Sequence, residues 1–484
     1  MSATPDHPTA PTLASLSAEP ALRAAWQKVR ANGGAPGVDG VTVRAFAENL
    51  GPRLRAMSPT LRRSHYQPTP LRAVDIPKAD GSGTRRLGIA TVQDRVVLQS
   101  LTHALTPLWE PGFSPSSFAY RPGRTALDAV WLAQQRIQAG RPWVVDLDIL
   151  GFFDHVDHFL LMQRLARRVA DARVLDLIAD FLRAGFVQGG VRHHPIQGIA
   201  QGSPLSPLLA NIVLDELDQE FTAHGWSFVR YADDCILLAT SKAEAGALLS
   251  FTREFLADRL HLSLHPRKTR VVAPGAVSFL GFTYRLARYG RVHRRINRKA
   301  LSALRATVSQ LACLSHGETF TDAVARVARH FRSWANYYRF TEDGLLHRAY
   351  ALVCAELRAA AWAHWGSAPE RFHQLRALGV PAAQAEAAAR PLDFPGATDD
   401  PPLLCRFLSE DFFASLGLVT PEEAPRPRGS GFQPDGSGSI LRPVPDFLRA
   451  WEHEARTPRE PSGWKPDPLR LPATSNRLST QFPE

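Results

Sequence analysis

Ser227-Phe228-Val229-Arg230-Tyr231-Ala232-Asp233-Asp234-Cys235-Ile236-Leu237-Leu238-Ala239-Thr240 reads as two short strands around a polar break. The flanks are rich in β-branched, aromatic and aliphatic side chains, the composition of a pleated, half-buried surface. The break is then a hairpin tip that holds Asp233 and Asp234 close together. Two carboxylates that cannot easily avoid each other invite a divalent cation, and hard oxygen donors suit Mg²⁺. An isolated Asp-Asp pair is equally what a solvated turn looks like, because Asp favours turns for local reasons. The rest of the chain has to decide.

A second acidic position lies in WVVDLDIL (Trp143 to Leu150), a β-branched strand in which alternation puts Asp146 and Asp148 on one face. If this strand lies beside the hairpin, one of its carboxylates meets Asp233 and Asp234. Three carboxylates converging on two metal ions about 3.5–4 Å apart support in-line phosphoryl transfer; the plain alternative is a pair of solvated acids at a strand end. Lys78, Arg85 and Arg86 flank a DGSGT turn and would let basic side chains clamp a triphosphate. An exposed basic hairpin has the same composition. Gln201-Gly202 opens a tight loop where backbone can approach a nucleotide closely, or forms an ordinary surface turn.

The 484 residues allow two to four domains. A hydrophobic content of 44% with 21% charged residues is that of an ordinary globular protein, and the net charge of +11 points to a polyanionic partner, most simply nucleic acid. No window reaches the roughly 18 uncharged apolar residues of a membrane span. The polar, Pro- and Ser-rich start lacks the layout of a signal peptide, so a cytoplasmic protein is expected. Cys235, Cys313, Cys354 and Cys405 are scattered with no Cys-x-x-Cys pair, which argues against a disulfide framework and a structural zinc site.

Helical spacing is expected at both ends of 20–58, from Val92, over 125–140, 156–185, 208–221, 242–260 and 297–365, with strands near 270 and 279–284. Gly33 to Thr42 and Gln197 to Pro207 read as loops. From about 390 the chain is dense in Pro and Gly and reads as largely irregular.

Eight blocks stand in order: GAPGVDGVT, IPKADGSGTRRLGIATVQDRVV, FSPSSFAYRPGRTALDAV, WVVDLDILGFFDHVDH, GIAQGSPLSPLLANIVLDELD, FVRYADDC, LSLHPRKT and FLGF. Over about residues 22–285 this series resembles the reverse transcriptases of bacterial group II introns and their close relatives. ARHFRSWANYYRF (Ala328 to Phe340) resembles their maturase-type thumb motif. Leu150, Ala200 and Ser333 depart from the usual residues of the family, and none of the three is a metal ligand.

The resemblance implies an α+β right-hand polymerase with fingers, a palm built on a small antiparallel sheet, and a helical thumb. The expected domains are a flexible lead (1–20), an N-terminal extension with fingers (21–140), the palm (141–285), a thumb or maturase-like domain (286–366) and an irregular tail (367–484). Asp148, Asp233 and Asp234 match the metal-binding aspartates for two Mg²⁺ ions. Lys78 and Arg85 match residues that hold the triphosphate, Phe153 the aromatic gate against a ribose 2′-OH, Gln201 a glutamine beside the nucleotide, and Lys268 a lysine that assists pyrophosphate departure. Arg121 falls in a block near the template, and Arg294, Arg295 and Arg298 are expected to meet phosphates. Trp334, Tyr337 and Tyr338 are expected in the core of the helical region rather than on nucleic acid.

The implied activity is RNA-directed DNA polymerisation from dNTPs, an RNA template and a DNA or RNA primer, with maturase binding of intron RNA as a further family property. Two alternatives stay open at this point: service in CRISPR or phage defence, and an RNA-binding splicing maturase with an idle polymerase.

Overall fold

In the computed structural model the described residues are 10–77, 83–314, 318–342, 344–377, 379–389, 405–406 and 408–421. The N-terminal part is helical: α1 (Leu13–Leu16), α2 (Glu19–Asn32), α3 (Val43–Glu48) and α4 (Leu50–Arg62) precede the antiparallel hairpin β1 (Leu71–Pro77) and β2 (Thr84–Ile89). Helix α5 (Val92–Trp109) starts at Thr91, whose hydroxyl accepts the Asp94 amide at 3.1 Å. Asp94 in turn accepts the Tyr66 hydroxyl at 2.7 Å, which pins the chain entering β1 to the start of α5.

Residues 1–20 do not behave throughout as the expected flexible lead. Leu13 and Leu16 are buried, the Leu13 amide donates to Asp171, and the Leu16 carbonyl accepts the Ser100 hydroxyl. Two apolar side chains one helical turn apart are enough to dock this segment; residues 1–9 lie outside the described residues.

The middle of the chain contributes α6 (Ala126–Gln138), β3 (Trp143–Asp148), α7 (Phe152–His155), α8 (His158–Ala166), α9 (Ala172–Arg183), β4 (Phe186–Gln188), β5 (Val191–His193), α10 (Ser206–Ala223), β6 (Ser227–Tyr231), β7 (Asp234–Ala239), α11 (Lys242–Leu260) and β8 (Arg270–Val272). Strands β4 and β5 extend the first hairpin into a four-stranded mixed sheet, ordered β2-β1-β4-β5, in which β1 runs parallel to β4. A second sheet, ordered β6-β7-β3-β8, is antiparallel throughout.

The second sheet is a wall between two cores, and the period of two along each strand makes it so. Val145, Leu147, Phe228, Cys235, Leu237 and Ala239 face one core with α5, α10 and α11. Val144, Val229, Ile236 and Leu238 face the other, with α6 and the C-terminal region. Both faces are covered, so β7 is buried from Cys235 to Ala239.

Beyond the sheet, the hairpin β9 (Phe282–Leu286) and β10 (Val292–Ile296) leads into α12 (Arg298–Ala312), α13 (Phe320–Tyr338) and α14 (Leu345–His364). Trp334, Tyr337 and Tyr338 are buried in this second core, as expected. The tail expected to be largely irregular from 367 carries helices among its described residues: α15 (Ala368–Ala377), α16 (Ala382–Ala389) and α17 (Glu410–Ser415). Leu375, Ala385, Leu408, Phe413 and Leu418 join the same core, and α17 packs on α14. The apolar residues among the prolines are what fold this stretch; residues 422–484 lie outside the described part. Among the described residues no helix is long and apolar enough to cross a membrane.

Candidate active site

Tyr231 pairs with Asp234, so the tip of the β6–β7 hairpin is the two-residue turn Ala232-Asp233. Ala232 sits at φ +59, a left-handed conformation that a side chain disfavours. The turn is held from below. Arg230 is buried with its guanidinium paired to Asp218, which is also buried, and Nη1 donates to Asn211 Oδ1 at 2.9 Å and to the Ala232 carbonyl at 3.0 Å. Backbone bonds from Arg230 to Ser116 and from Phe118 to Arg230 tie the same strand to the loop before α6.

Asp148, at the end of β3, stands directly opposite Asp234. The loop after α11 wraps this strand end: the His265 amide donates to the Asp148 carbonyl at 2.7 Å, and Thr269 Oγ1 accepts the Asp148 amide at 3.2 Å. That clasp carries Lys268 to 3.6 Å from the Asp148 carboxylate.

Phe153 is set by α7, which begins at the left-handed Gly151. The Ile199 amide donates to the Phe153 carbonyl and the Gly198 amide to the Val156 carbonyl, each at 2.7 Å. A side chain at Gly198 would fall 2.9 Å from the Asp154 carbonyl, so glycine permits this close approach. Three residues beyond Gly198, the Gln201 carbonyl accepts the Gly88 amide of β2 at 2.8 Å, three residues along that strand from Arg85.

Together these elements surround a cavity of about 950 Å³ whose lining includes Arg85, Asp148, Phe153, Gln201, Asp233 and Lys268. Residues expected from five separate blocks thus meet in one place. Asp234 is set back and is not among the residues that line the cavity. Lys78 lies outside the described residues.

Burial raises the Asp233 carboxyl above the usual range; Arg85 opposes the shift and Asp148 adds to it. Burial raises Asp234 well above that range, with Asp146, Asp233 and Asp148 adding repulsion. Asp146 is raised by burial even though Arg270 lies 3.4 Å away. Four crowded acids favour either protons or a cation. All the donors are carboxylate oxygens, which fit a hard divalent ion. Among the described residues no three acids are gathered as ligands; Asp148 leans to Lys268 and Asp146 to Arg270.

Some expected contacts are corrected. Arg121 is buried, bonded to Glu110 and to the Ser114 and Ser117 carbonyls, so its guanidinium builds a loop rather than meeting a template. Arg294 lies over the Phe340 ring with its Nε buried, and burial lowers its pKa. Arg295 reaches Glu342 at 3.5 Å. Arg298, at the first position of α12, is exposed. Lys299 beside it lines the cavity and was not foreseen; its only sequence signal is its place in a basic run. The Arg230–Asp218 pair was also missed, although an arginine inside an apolar strand is itself a signal of a buried partner.

An α+β molecule with a two-carboxylate hairpin facing a basic-lined cavity has the makings of a nucleotidyl-transfer protein. Residues 76–284 match the family model for reverse transcriptase (RNA-dependent DNA polymerase). Protein YkfC of Escherichia coli (strain K12) is 32% identical over 300 residues, covering 53% of this chain and 78% of that protein. The group II intron-encoded protein LtrA of Lactococcus lactis subsp. cremoris is 33% identical over 197 residues, 40% of this chain and 32% of LtrA. A chain of a partial Cas6-RT-Cas1–Cas2 complex is 25% identical, covering 51% of this chain and 43% of that one, with a TM-score of 0.34. The chain belongs to the reverse transcriptase family, and it carries that family's RNA-directed DNA polymerase domain.

Proposed function

We propose that this protein is a reverse transcriptase of group II intron type, adding dNTPs to a primer 3′-OH on an RNA template. On this reading the antiparallel sheet with α10 and α11 is the palm, the N-terminal helices and mixed sheet are the fingers, and α12–α14 form the thumb. The observation that carries it is the meeting of Arg85, Phe153, Gln201 and Lys268 with Asp148 and Asp233 around one cavity. A chaperone of RNA has no physical need for clustered acids that repel a phosphate backbone.

Asp148, Asp233 and Asp234 would hold two Mg²⁺ ions, which when bound lower the pKa of the attacking hydroxyl and stabilise the leaving pyrophosphate. Arg85, whose charge already acts on Asp233, grips the triphosphate. Phe153 crowds a 2′-OH and so selects deoxyribose. Lys268, an ammonium 3.6 Å from Asp148, is free to swing half-exposed toward the departing pyrophosphate and neutralise it. Lys299 and Arg298 extend the positive wall toward the primer–template, and intron RNA is a further partner for the same basic surface.

The test is primer extension on poly(rA)/oligo(dT) with Mg²⁺. Wild type should incorporate dTTP, and Asp233→Ala/Asp234→Ala should not. Equal incorporation by the two proteins ends the proposal.

A further inference from the structure

Ser64, Tyr120, Ala232, His261 and Leu280 are the non-glycine residues with a left-handed backbone among the described residues. Tyr120, at φ +63, is the one of them that lines the cavity beside Asp148 and Asp233. An aromatic side chain disfavours that conformation, which glycine or asparagine adopts at little cost. Burial of the ring does not offset the strain. Ser116 to Ala119 and Arg121 are buried, whereas Tyr120 between them is 53% exposed.

Both neighbours hold Tyr120 in place. The Asn211 side-chain amide donates to the Ala119 carbonyl at 2.9 Å, and Arg121 Nη1 donates to the Ser114 and Ser117 carbonyls at 2.6 and 2.7 Å. Asn211 Oδ1 accepts Arg230 Nη1 at 2.9 Å, and that Nη1 also donates to the Ala232 carbonyl at 3.0 Å. Three buried hydrogen bonds thus run from the peptide that enters Tyr120 to the peptide that enters Asp233. The exposed ring and the candidate acid share one frame.

A strained backbone kept for a ring that faces the cavity points to a ligand for the ring. The same wall already carries Arg85, Lys268 and Lys299 for phosphates. Tyr120 adds what these cations lack, an uncharged π face on which a nucleobase can stack.

We propose that Tyr120 is a nucleic-acid contact, its ring stacking on the last base pair of the primer–template beside the Asp233 turn. The identity of the ligand rests on the polymerase reading; the site rests on the backbone of Tyr120 and its anchors.

The experiment is fluorescence anisotropy of a labelled RNA template–DNA primer duplex with the full chain, without dNTP, on wild type, Tyr120→Asn and Tyr120→Phe. Tyr120→Asn suits the left-handed backbone and removes the ring. Its Kd should rise about 5–150-fold, the worth of one stacked base. The slope of log Kd against log salt should match wild type, because a neutral ring releases no counterion. The melting temperature should be no lower than that of wild type, since the substitution relieves strain. Tyr120→Phe keeps the ring, so its Kd should stay within about twofold. A 2-aminopurine in the last pair, placed in the template or in the primer, identifies the base: one of the two should be brighter with Tyr120→Asn than with wild type.

Equal Kd in wild type and Tyr120→Asn overturns the contact. So does a melting temperature that falls along with affinity, the mark of a structural role. An equal loss in Tyr120→Phe assigns the effect to the hydroxyl and overturns stacking, as does unchanged 2-aminopurine fluorescence in both strands. If wild type binds the duplex, Tyr120→Asn binds it more weakly with its melting temperature kept, and neither extends a primer, the contact stands and the polymerase reading falls.

Discussion

Arg230 and Asp218 form a buried ion pair, and the same guanidinium holds the carbonyl of Ala232, the left-handed residue beside Asp233. The pair thus fixes both a strand and the turn at its tip. Breaking a buried pair by removing one partner costs about 3–5 kcal/mol, because the other charge is left uncompensated.

Asp218→Ala should therefore lower the melting temperature sharply. Arg230→Lys is more informative. A lysine keeps a cation against Asp218, but one ammonium cannot span Asp218, Asn211 and the Ala232 carbonyl. Steady-state primer extension should show kcat down at least about tenfold, roughly 1.4 kcal/mol of transition-state stabilisation, with a melting temperature only a few degrees lower. Full kcat in Arg230→Lys would mean that the turn holds itself.

Asp215, one turn before Asp218 on α10, is pushed up to about 6, chiefly by burial. A carboxyl raised in the folded state binds its proton more tightly there than in the unfolded chain. Its contribution is neutral below about pH 4 and becomes destabilising as pH rises through 4–6. Asp215→Asn keeps an oxygen to accept the Gln219 amide and carries no charge. Thermal unfolding at pH 7.5 should show the variant more stable, by about 1–3 kcal/mol given roughly 1.4 kcal/mol per pKa unit. At pH 4 the difference should vanish. A constant difference across that range would rule out ionisation as its cause.

Phe153 lines the proposed nucleotide cavity with its carbonyl fixed by the Ile199 amide. Phe153→Val shortens the side chain without moving that bond. Discrimination between dTTP and UTP, read as the ratio of kcat/KM values, should fall by about 10–100-fold, the worth of about 1–3 kcal/mol in a shape-selective pocket. An unchanged ratio would remove Phe153 from sugar selection.

Lys268 and Asp148 are both about half exposed, so their contact contributes little to folding. Lys268→Ala should leave the melting temperature within about one degree and lower kcat by about tenfold or more, as loss of a positioned cation or acid does. A Tm drop without a kinetic change would make the pair structural.

Much of the site was legible because its signals are local. The alternation in β3, β6 and β7 can be read residue by residue, and so can the glycine loops around Phe153 and Gln201. What escaped depends on distant partners. Arg121 looks like any basic residue in a loop until Glu110 and two carbonyls are found around it. The helices after 367 were hidden by Pro and Gly, which mask the few apolar residues that dock them. Leu280 gives no sign in sequence of a left-handed backbone, since helix α13, nearly sixty residues on, helps to impose it.

The amide of Gly88 on the Gln201 carbonyl, and the amide of Ile199 on the Phe153 carbonyl, are peptide-to-peptide bonds. They chain strand β2, the loop and α7 into a single linkage with Arg85 at one end and Phe153 at the other. The spacing between Arg85 and Phe153 is therefore set by backbone alone, and side-chain substitution leaves that linkage unbroken.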